Sequence, residues 1–124
     1  MRKVVLFLAL AVGLLASAST LQAQTVNMSR YITLTVKNGA AIKLNFKAAA
    51  AGTPVRIVSG SNTQNITVGT DWYNGSTPST YTVTARASTM IVYGDIVGFN
   101  CYGNGANLTS LDVSKNTQLK RLSC

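Results

Sequence analysis

Few side chains in this chain are of the types that perform acid–base or metal chemistry. Three acidic residues, Asp71, Asp95 and Asp112, are spread along 124 residues, and there is no histidine. General acid–base catalysis normally pairs these residue types, and no serine or lysine stands in a recognisable nucleophile–base spacing. A zinc site would need ligands beyond the two cysteines. The sequence therefore predicts a protein that is not an enzyme and has no metal or cofactor.

The two cysteines, Cys101 and Cys124, are 23 positions apart. An exported chain can form a disulfide, but pairing requires a geometry that the sequence does not supply. The alternative is that both side chains fill a tight interior as small hydrophobic groups. We favour this second interpretation.

The only tryptophan, Trp72, stands beside Tyr73 in a long segment rich in Gly, Asn, Ser and Thr. These two aromatic side chains are the best candidates for a ligand platform, for example for a sugar. A small protein also needs its few aromatic residues to fill the core or to cover a hairpin. We favour the structural interpretation and keep the ligand platform as the alternative.

The charge balance is strongly basic, but the basic residues are dispersed. Eleven Lys and Arg residues against three acids give a formal net charge of +8. A charge of this size favours solubility and anionic partners. No run of basic residues alternates with stacking aromatics, so the sequence predicts no nucleic-acid binding. The basic side chains are expected on solvated strand faces and on sheet edges.

Residues 1–23 have the three-part order of a secretory signal peptide. The segment Met1–Lys3 is basic, residues 4–15 are apolar except for Gly13, and small and polar residues follow up to Ala23. The apolar run is shorter than the roughly 20 residues of a membrane-spanning helix. We expect cleavage after Ala23, with residues 16–18 as a competing site. The mature chain is then secreted or at the cell surface, with no transmembrane helix.

From residue 24 onward, the chain has the composition and alternation of a β protein. Thr, Val, Ile, Gly, Ser and Asn dominate, and helix signals are poor. Alternation and turn residues predict short strands at 31–37, 42–47, 54–59, 64–68, 80–84 and 89–93. The predicted fold is mainly β, with a small antiparallel β-rich cap or sandwich over residues 24–93.

The dipeptide Asn38-Gly39, between the first two predicted strands, is a strong hairpin signal. An ideal two-residue turn would place the alternating apolar side chains of the two strands on opposite faces of the sheet. We therefore expect an odd-length loop or a β-bulge near Ala40, which would bring both apolar sets to one face.

Residues 96–124 repeat one pattern three times. The apolar positions are spaced L-x-x-L-x-L, and an asparagine follows in the first two lines. One full repeat, from cysteine to cysteine, is 23 residues, within the range of about 20–29 for leucine-rich repeats. The repeat core positions are Ile96, Phe99, Cys101, Leu108, Leu111, Val113, Leu119, Leu122 and Cys124, and the asparagine positions are Asn104 and Asn116.

The repeat spacing has a mechanical reason. In L-x-x-L-x-L the apolar side chains all point inward, and a following asparagine can bond backbone groups of a tight turn and of the neighbouring coil. Each coil buries its apolar face only against the next coil. We therefore expect residues 94–124 to be the first coils of a leucine-rich repeat solenoid, into which the β-rich cap leads.

The segment LTSLDVSKNTQLKRLSC, residues 108–124, resembles the repeat unit of secreted internalin-like leucine-rich-repeat surface proteins of the Bacteroidetes type. The preceding TMIVYGDIVGFNCYGN resembles the lead-in to the first repeat. The resemblance implies a secreted or cell-surface protein that binds protein or glycan ligands through its repeat surface, in adhesion and without catalysis. The repeats stop inside the second full unit, so we expect a fragment or a truncated gene product.

A second function remains open beside this one. The chain could be a self-contained small β-sandwich that binds a ligand such as a glycan near Trp72 and Tyr73, with residues 96–124 simply forming further strands. Replacing both aromatic side chains separates the two functions, because only the second predicts lost ligand binding with stability retained.

Overall fold

The computed structural model describes residues 25–74 and 77–124. The predicted signal peptide, residues 1–23, lies outside this part of the chain. Within the described residues, no helix is both long enough and apolar enough to span a membrane.

The described chain consists of short strands joined by turns. Within the described residues, the helical element is a single 3-10 turn, Gly105–Asn107. The strands are β1 Tyr31–Val36, β2 Ala41–Ala48, β3 Thr53–Ser59, β4 Asn62–Val68, β5 Tyr73–Asn74, β6 Thr77–Pro78, β7 Thr80–Thr84, β8 Thr89–Tyr93, β9 Ile96–Asn100, β10 Leu108–Asp112 and β11 Arg121–Ser123. The six strands predicted between residues 31 and 93 are confirmed, with small differences at their ends.

The strands form two main sheets. A five-stranded sheet has the order β10-β1-β8-β3-β4, and all its neighbours are antiparallel. A four-stranded sheet has the order β11-β9-β2-β7, antiparallel except for the parallel pair β9–β11. Strands β5 and β6 make a separate two-stranded ribbon. The predicted mainly β, largely antiparallel fold is confirmed.

The inward faces of both sheets supply one hydrophobic core. Strand β1 buries every second residue, and strand β2 buries Ile42, Leu44 and Phe46 from the other sheet. The ring of Phe46 lies 5.6 Å from the ring of Phe99 on β9 and 5.8 Å from that of Tyr81 on β7. Because alternating side chains point to opposite faces of a strand, Lys43, Asn45 and Lys47 of β2 point to the outer face of the four-stranded sheet.

The predicted hairpin at Asn38-Gly39 is wrong. Strand β1 pairs with β8 and β10, whereas β2 pairs with β7 and β9, so the turn carries the chain from one sheet to the other. The two apolar sets then face each other across the core and need no bulge to share one face of one sheet. Gly39 takes a positive φ of 91° in this crossing turn, a conformation open to glycine.

The two predicted segments, 24–93 and 94–124, contribute to the same core. Strand β9 lies between β11 and β2, and strand β10 pairs with β1 at one edge of the five-stranded sheet. Ile96 and Phe99 of β9 are fully buried beside residues of the first segment. The boundary at residue 93 therefore divides the sequence pattern but does not divide the hydrophobic core.

Candidate functional site

Seven of the nine repeat core positions contribute to the hydrophobic core. Ile96, Phe99 and Cys101 are buried. Leu108, Leu111, Val113 and Leu119 are partly buried and pack against the core. Leu122 keeps 49% of its surface exposed, and Cys124 is also exposed. Burial therefore falls along the repeat segment, from β9 to the short terminal strand β11.

Strands β9 and β11 pair in parallel with an offset of one full repeat. Phe99 lies opposite Leu122, 23 positions further on, and Gly98 lies opposite Arg121. Two backbone bonds extend the ladder, from Lys120 N to Val97 O at 2.7 Å and from Cys101 N to Ser123 O at 2.8 Å. The intervening strand β10 belongs to the opposite sheet.

Cys101 and Cys124 form a disulfide, with their Cα atoms 4.7 Å apart. The favoured interpretation of the two cysteines as separate small hydrophobic groups is wrong. The parallel register brings the same slot of two successive repeats side by side, and neighbouring strands lie at a spacing that a disulfide can bridge. Cys101 is buried, so one half of the bridge is anchored in the core.

Asn104 is buried, and its side-chain amide forms hydrogen bonds with the backbone of β2 at a point beyond the end of β9. Its Oδ1 accepts a hydrogen bond from Lys43 N at 2.8 Å, and its Nδ2 donates to Lys43 O at 2.9 Å. The same Nδ2 donates to Cys101 O at 2.8 Å. The side chain thus replaces the missing strand residue where the chain turns away from the sheet.

Asn116, the second asparagine of the repeat pattern, is also buried. Its Nδ2 donates a hydrogen bond to the backbone oxygen of Ile96, twenty positions earlier in the chain, at 3.1 Å. Its Oδ1 accepts a hydrogen bond from Gln118 N at 3.2 Å. This amide therefore joins the turn before β11 to the start of β9.

The three acidic residues have separate partners. Asp95 accepts hydrogen bonds from Arg30 Nη1 and from Asn27 Nδ2, each at 2.8 Å. Asp112 accepts from the hydroxyl of Ser114 at 2.7 Å and from its backbone N–H at 2.9 Å. These two bonds, the hydroxyl first, lower the pKa of Asp112. Asp71 accepts from Tyr73 N at 3.4 Å.

Trp72 lies on the outer face of the four-stranded sheet and does not belong to the buried core. A Cβ added to Gly98 would come within 2.7 Å of the ring, so the absence of a side chain there lets the ring approach β9 closely. Lys47 Nζ is 5.8 Å from the ring centroid, and Asn45 Nδ2 donates to Trp72 O at 3.2 Å. Trp72 is half-buried and therefore holds its loop against the sheet through these contacts. The neighbouring side chain of Tyr73 is 51% exposed.

A groove of about 510 Å³ crosses this outer face and touches all four strands of the sheet. We call it the outer groove. The residues that matter most for its chemistry are Lys43, Asn45, Trp72, Tyr73, Tyr102 and Arg121. Its volume falls in the range of about 300–1,000 Å³ that is common for small-molecule sites.

Sequence reasoning found the Trp72–Tyr73 edge of the outer groove but missed Lys43, Tyr102 and Arg121. The signal for Lys43 was present, because it alternates with the apolar residues of β2 and so faces outward. Tyr102 and Arg121 are far from Trp72 in the sequence, and only the pairing of β9 with β2 and β11 brings them to the same face.

Within residues 25–74 and 77–124, no cluster of three or more His, Cys, Asp or Glu side chains is arranged to hold a metal ion. The arrangement offers exposed aromatic faces, two cations and amide groups, which are means of binding a ligand. No protein-family model, curated protein or solved structure was found to match the chain.

Proposed function

We propose that this chain is the N-terminal part of an exported, non-catalytic interaction or adhesion protein, in which a β-sandwich carries the first coil of a leucine-rich repeat array. The observation that carries the proposal is the parallel pairing of β9 and β11 at an offset of 23 residues. A leucine-rich repeat stacks equivalent strands of successive units in parallel, with one unit between them. The length of the sequence repeat and the offset between the paired strands are therefore both 23 residues.

The asparagine contacts support the same proposal. A repeat asparagine is expected to bond backbone groups of its own turn and of the preceding coil. Asn116 does both, through Gln118 N and Ile96 O. Asn104 bonds its own turn at Cys101 O and the preceding strand β2 at Lys43. In this proposal, the first coil of the array pairs with β2 through its strand β9.

Binding in such an array uses the outward positions of the stacked strands. Gly98 and Asn100 on β9 pair with Arg121 and Ser123 on β11, so the outward positions of successive units line up on one face. The partner in this proposal is a protein or glycan bound on that face, with further units extending it beyond β11. The half-exposed Leu122 is the core position that the next unit would cover.

Export is the second part of the proposal. The order of residues 1–23 supports a cleavable signal peptide, and a disulfide is typical of proteins that leave the cytoplasm. The destination proposed is the cell surface or the medium.

One experiment tests the repeat part. The source DNA is read beyond codon 124, and the mass of the native exported protein is measured. We expect the frame to continue as further L-x-x-L-x-C/V-x-x-N units and the native mass to include them. A stable exported protein that ends at Cys124 would contradict the proposed array.

A second experiment tests export. The full chain is produced with its own leader, and its N-terminus and location are determined by mass spectrometry after cell fractionation. We expect a chain that begins after Ala23, or after Ala18, outside the cytoplasm and with Cys101 oxidised. A chain that retains residues 1–23 and stays in the cytoplasm would contradict export.

A further inference from the structure

We propose that the outer groove is a binding site for an acidic saccharide, a short oligosaccharide that bears carboxylate or sulfate groups. This rests on the proposed function in one respect, since Asn100, Arg121 and Ser123 of the groove belong to the outward face of β9 and β11, and it names the class of ligand bound there. It does not depend on the repeat array, because every lining residue lies in the described part of the chain and no further repeat is needed. The site would operate even if the chain ended at Cys124.

The first argument is charge. Lys43 and Arg121 line the outer groove, and the residues that line it include no acid. Lys47 lies just beyond, over the ring of Trp72. Arginine binds carboxylate and sulfate groups through two parallel hydrogen bonds, and lysine adds a compact point charge. The groove therefore favours an anionic ligand, in keeping with the excess of basic over acidic residues in the chain.

The second argument is exposed aromatic surface. Two of the most exposed large side chains among the described residues, Tyr73 and Tyr102, line the outer groove. Tyr102 is 76% exposed, although Asn100 Oδ1 holds its backbone N–H at 2.8 Å. Exposed apolar surface gathered in one place marks a binding site. A tyrosine offers a flat apolar face and a polar edge, which match the C–H face and the hydroxyl edge of a sugar ring.

The third argument distinguishes a saccharide from a peptide strand. An extended peptide binds a sheet by adding to an exposed edge. The outer groove lies on the face of the four-stranded sheet, and the two central strands that it crosses, β2 and β9, are paired with neighbouring strands on both sides. Side chains, and not backbone groups, are therefore what this surface presents to a ligand.

The fourth argument distinguishes a saccharide from single-stranded nucleic acid. A nucleic-acid groove follows the phosphate backbone with successive cations. In the outer groove, the two cations Lys43 and Arg121 are accompanied by uncharged polar residues such as Thr80, Asn100 and Ser123. Two isolated cations among hydroxyl and amide groups fit a ligand with few charges and many hydroxyls.

The test is a titration of the oxidised exported chain, followed by the amide NMR shifts and by Trp72 fluorescence. The probes are trigalacturonic acid, which carries carboxylates, a sulfated heparin tetrasaccharide, neutral maltotriose and a ten-residue oligothymidylate. We expect at least one acidic saccharide to shift the amides of Lys43, Asn100 and Tyr102 and to change the Trp72 emission. The stronger acidic probe identifies the carboxylate or the sulfate as the preferred group.

Variants decide whether binding is local to the outer groove. We expect Arg121→Gln and Tyr102→Ala each to weaken acidic-saccharide binding about tenfold or more, because each removes a charge-assisted contact or a stacking face. Lys37→Gln is the matched control, since it removes the same charge from an exposed position outside the groove. Retained amide dispersion and the closed disulfide show that each variant is folded.

A third variant tests the Trp72 platform without touching a charge. Gly98→Val would force the ring of Trp72 away from β9, and we expect weaker binding together with a red-shifted tryptophan emission. Gly69→Ala is its control, because a Cβ there meets no atom within 4 Å.

The proposal is overturned if no acidic saccharide shifts the groove amides. It is also overturned if Lys37→Gln weakens binding as much as Arg121→Gln does, since binding would then be diffuse charge attraction. Equal or tighter binding of maltotriose or of the oligothymidylate would likewise replace an acidic saccharide by another class of ligand.

Discussion

Alternate residues of strand β2 have two different roles, in the core and in the outer groove. On β2, Ile42, Leu44 and Phe46 are buried in the core, whereas Lys43 and Asn45 face the outer groove. The alternation that places a core side chain therefore also places a groove side chain one position away. A substitution at Lys43 is expected to change the surface, while one at Leu44 is expected to change stability.

The ionisation of Asp112 makes the stability of the fold depend on pH, and a substitution at Ser114 tests this dependence. The hydroxyl of Ser114, and then its N–H, stabilise the carboxylate and lower the pKa of Asp112. A lowered folded-state pKa stabilises the fold above the unfolded-state pKa, and this contribution is lost as the pH falls through the folded-state pKa. We predict that Ser114→Ala raises the pKa of Asp112 towards its ordinary value, as followed by NMR titration of the carboxyl carbon.

Ser110→Ala is the control for this titration, since Ser110 is an exposed serine of the same strand. It should leave the pKa of Asp112 as it is in the unmodified chain. An unchanged pKa in Ser114→Ala would show that the hydroxyl bond does not govern the carboxyl group.

At the scale of elements, successive repeat lines alternate between the two sheets. Strand β9 lies in the four-stranded sheet, β10 in the five-stranded sheet and β11 in the four-stranded sheet again. The line starts are twelve and eleven residues apart, but equivalent strands meet only after 23 residues. This alternation explains why the two cysteines, and not neighbouring lines, are brought together.

The disulfide is expected to stabilise the connection from β9 to β11. It spans 23 residues, and closing a loop of this size stabilises a fold by about 2–4 kcal/mol. We predict that reduction lowers the free energy of unfolding by this amount and speeds amide exchange in β11. Urea unfolding of oxidised and reduced protein measures the difference.

The double variant Cys101→Ala/Cys124→Ala should unfold like the reduced protein and should not respond to a reductant. If the oxidised and reduced proteins unfold at the same urea concentration, the bridge adds no stability.

The asparagine contact between the last turn and β9 can be tested separately. Asn116→Ala leaves the carbonyl of Ile96 without its donor in a buried setting, which costs about 1–3 kcal/mol. We predict a loss of this size in the free energy of unfolding, measured by urea denaturation. Gln118→Ala, an exposed amide two residues away, should change it by less than about 0.5 kcal/mol. Equal effects of the two variants would count against a specific role for Asn116.

At the scale of the whole molecule, the sandwich and the repeat segment depend on one core. Strand β9 is an interior strand of the four-stranded sheet, and Phe99 packs against Phe46 of β2. Removing β9 would expose Phe46 and open one edge of β2. The segment 24–93 therefore lacks part of the core that its own strands require.

We predict that a chain of residues 24–93 does not fold, whereas a chain of residues 24–118, which lacks Leu119, β11 and the disulfide, folds with reduced stability. Circular dichroism and the dispersion of amide NMR signals distinguish the two outcomes. Dispersed signals and cooperative unfolding in the 24–93 chain would show that the sandwich is independent of the repeat segment.

Local sequence patterns were enough to locate the strands and the repeated apolar spacing. Alternation and turn residues located the six strands between residues 31 and 93, because a half-buried strand imposes a period of two on its own side chains. The L-x-x-L-x-L lines marked the positions that pack on the core between residues 96 and 119, but not Leu122 and Cys124, and the 23-residue interval was readable from the cysteines. These are local properties, encoded within each element.

Which strands become neighbours depends on how the whole chain packs. Asn38-Gly39 has the composition of a hairpin turn, yet β1 and β2 lie in different sheets, because burial of both apolar faces across a core outweighs the local turn preference. The Cys101–Cys124 bridge and the outer groove depend in the same way on β9 lying between β2 and β11. Pairing partners are chosen by the burial of the whole chain, and no short stretch of sequence contains that information.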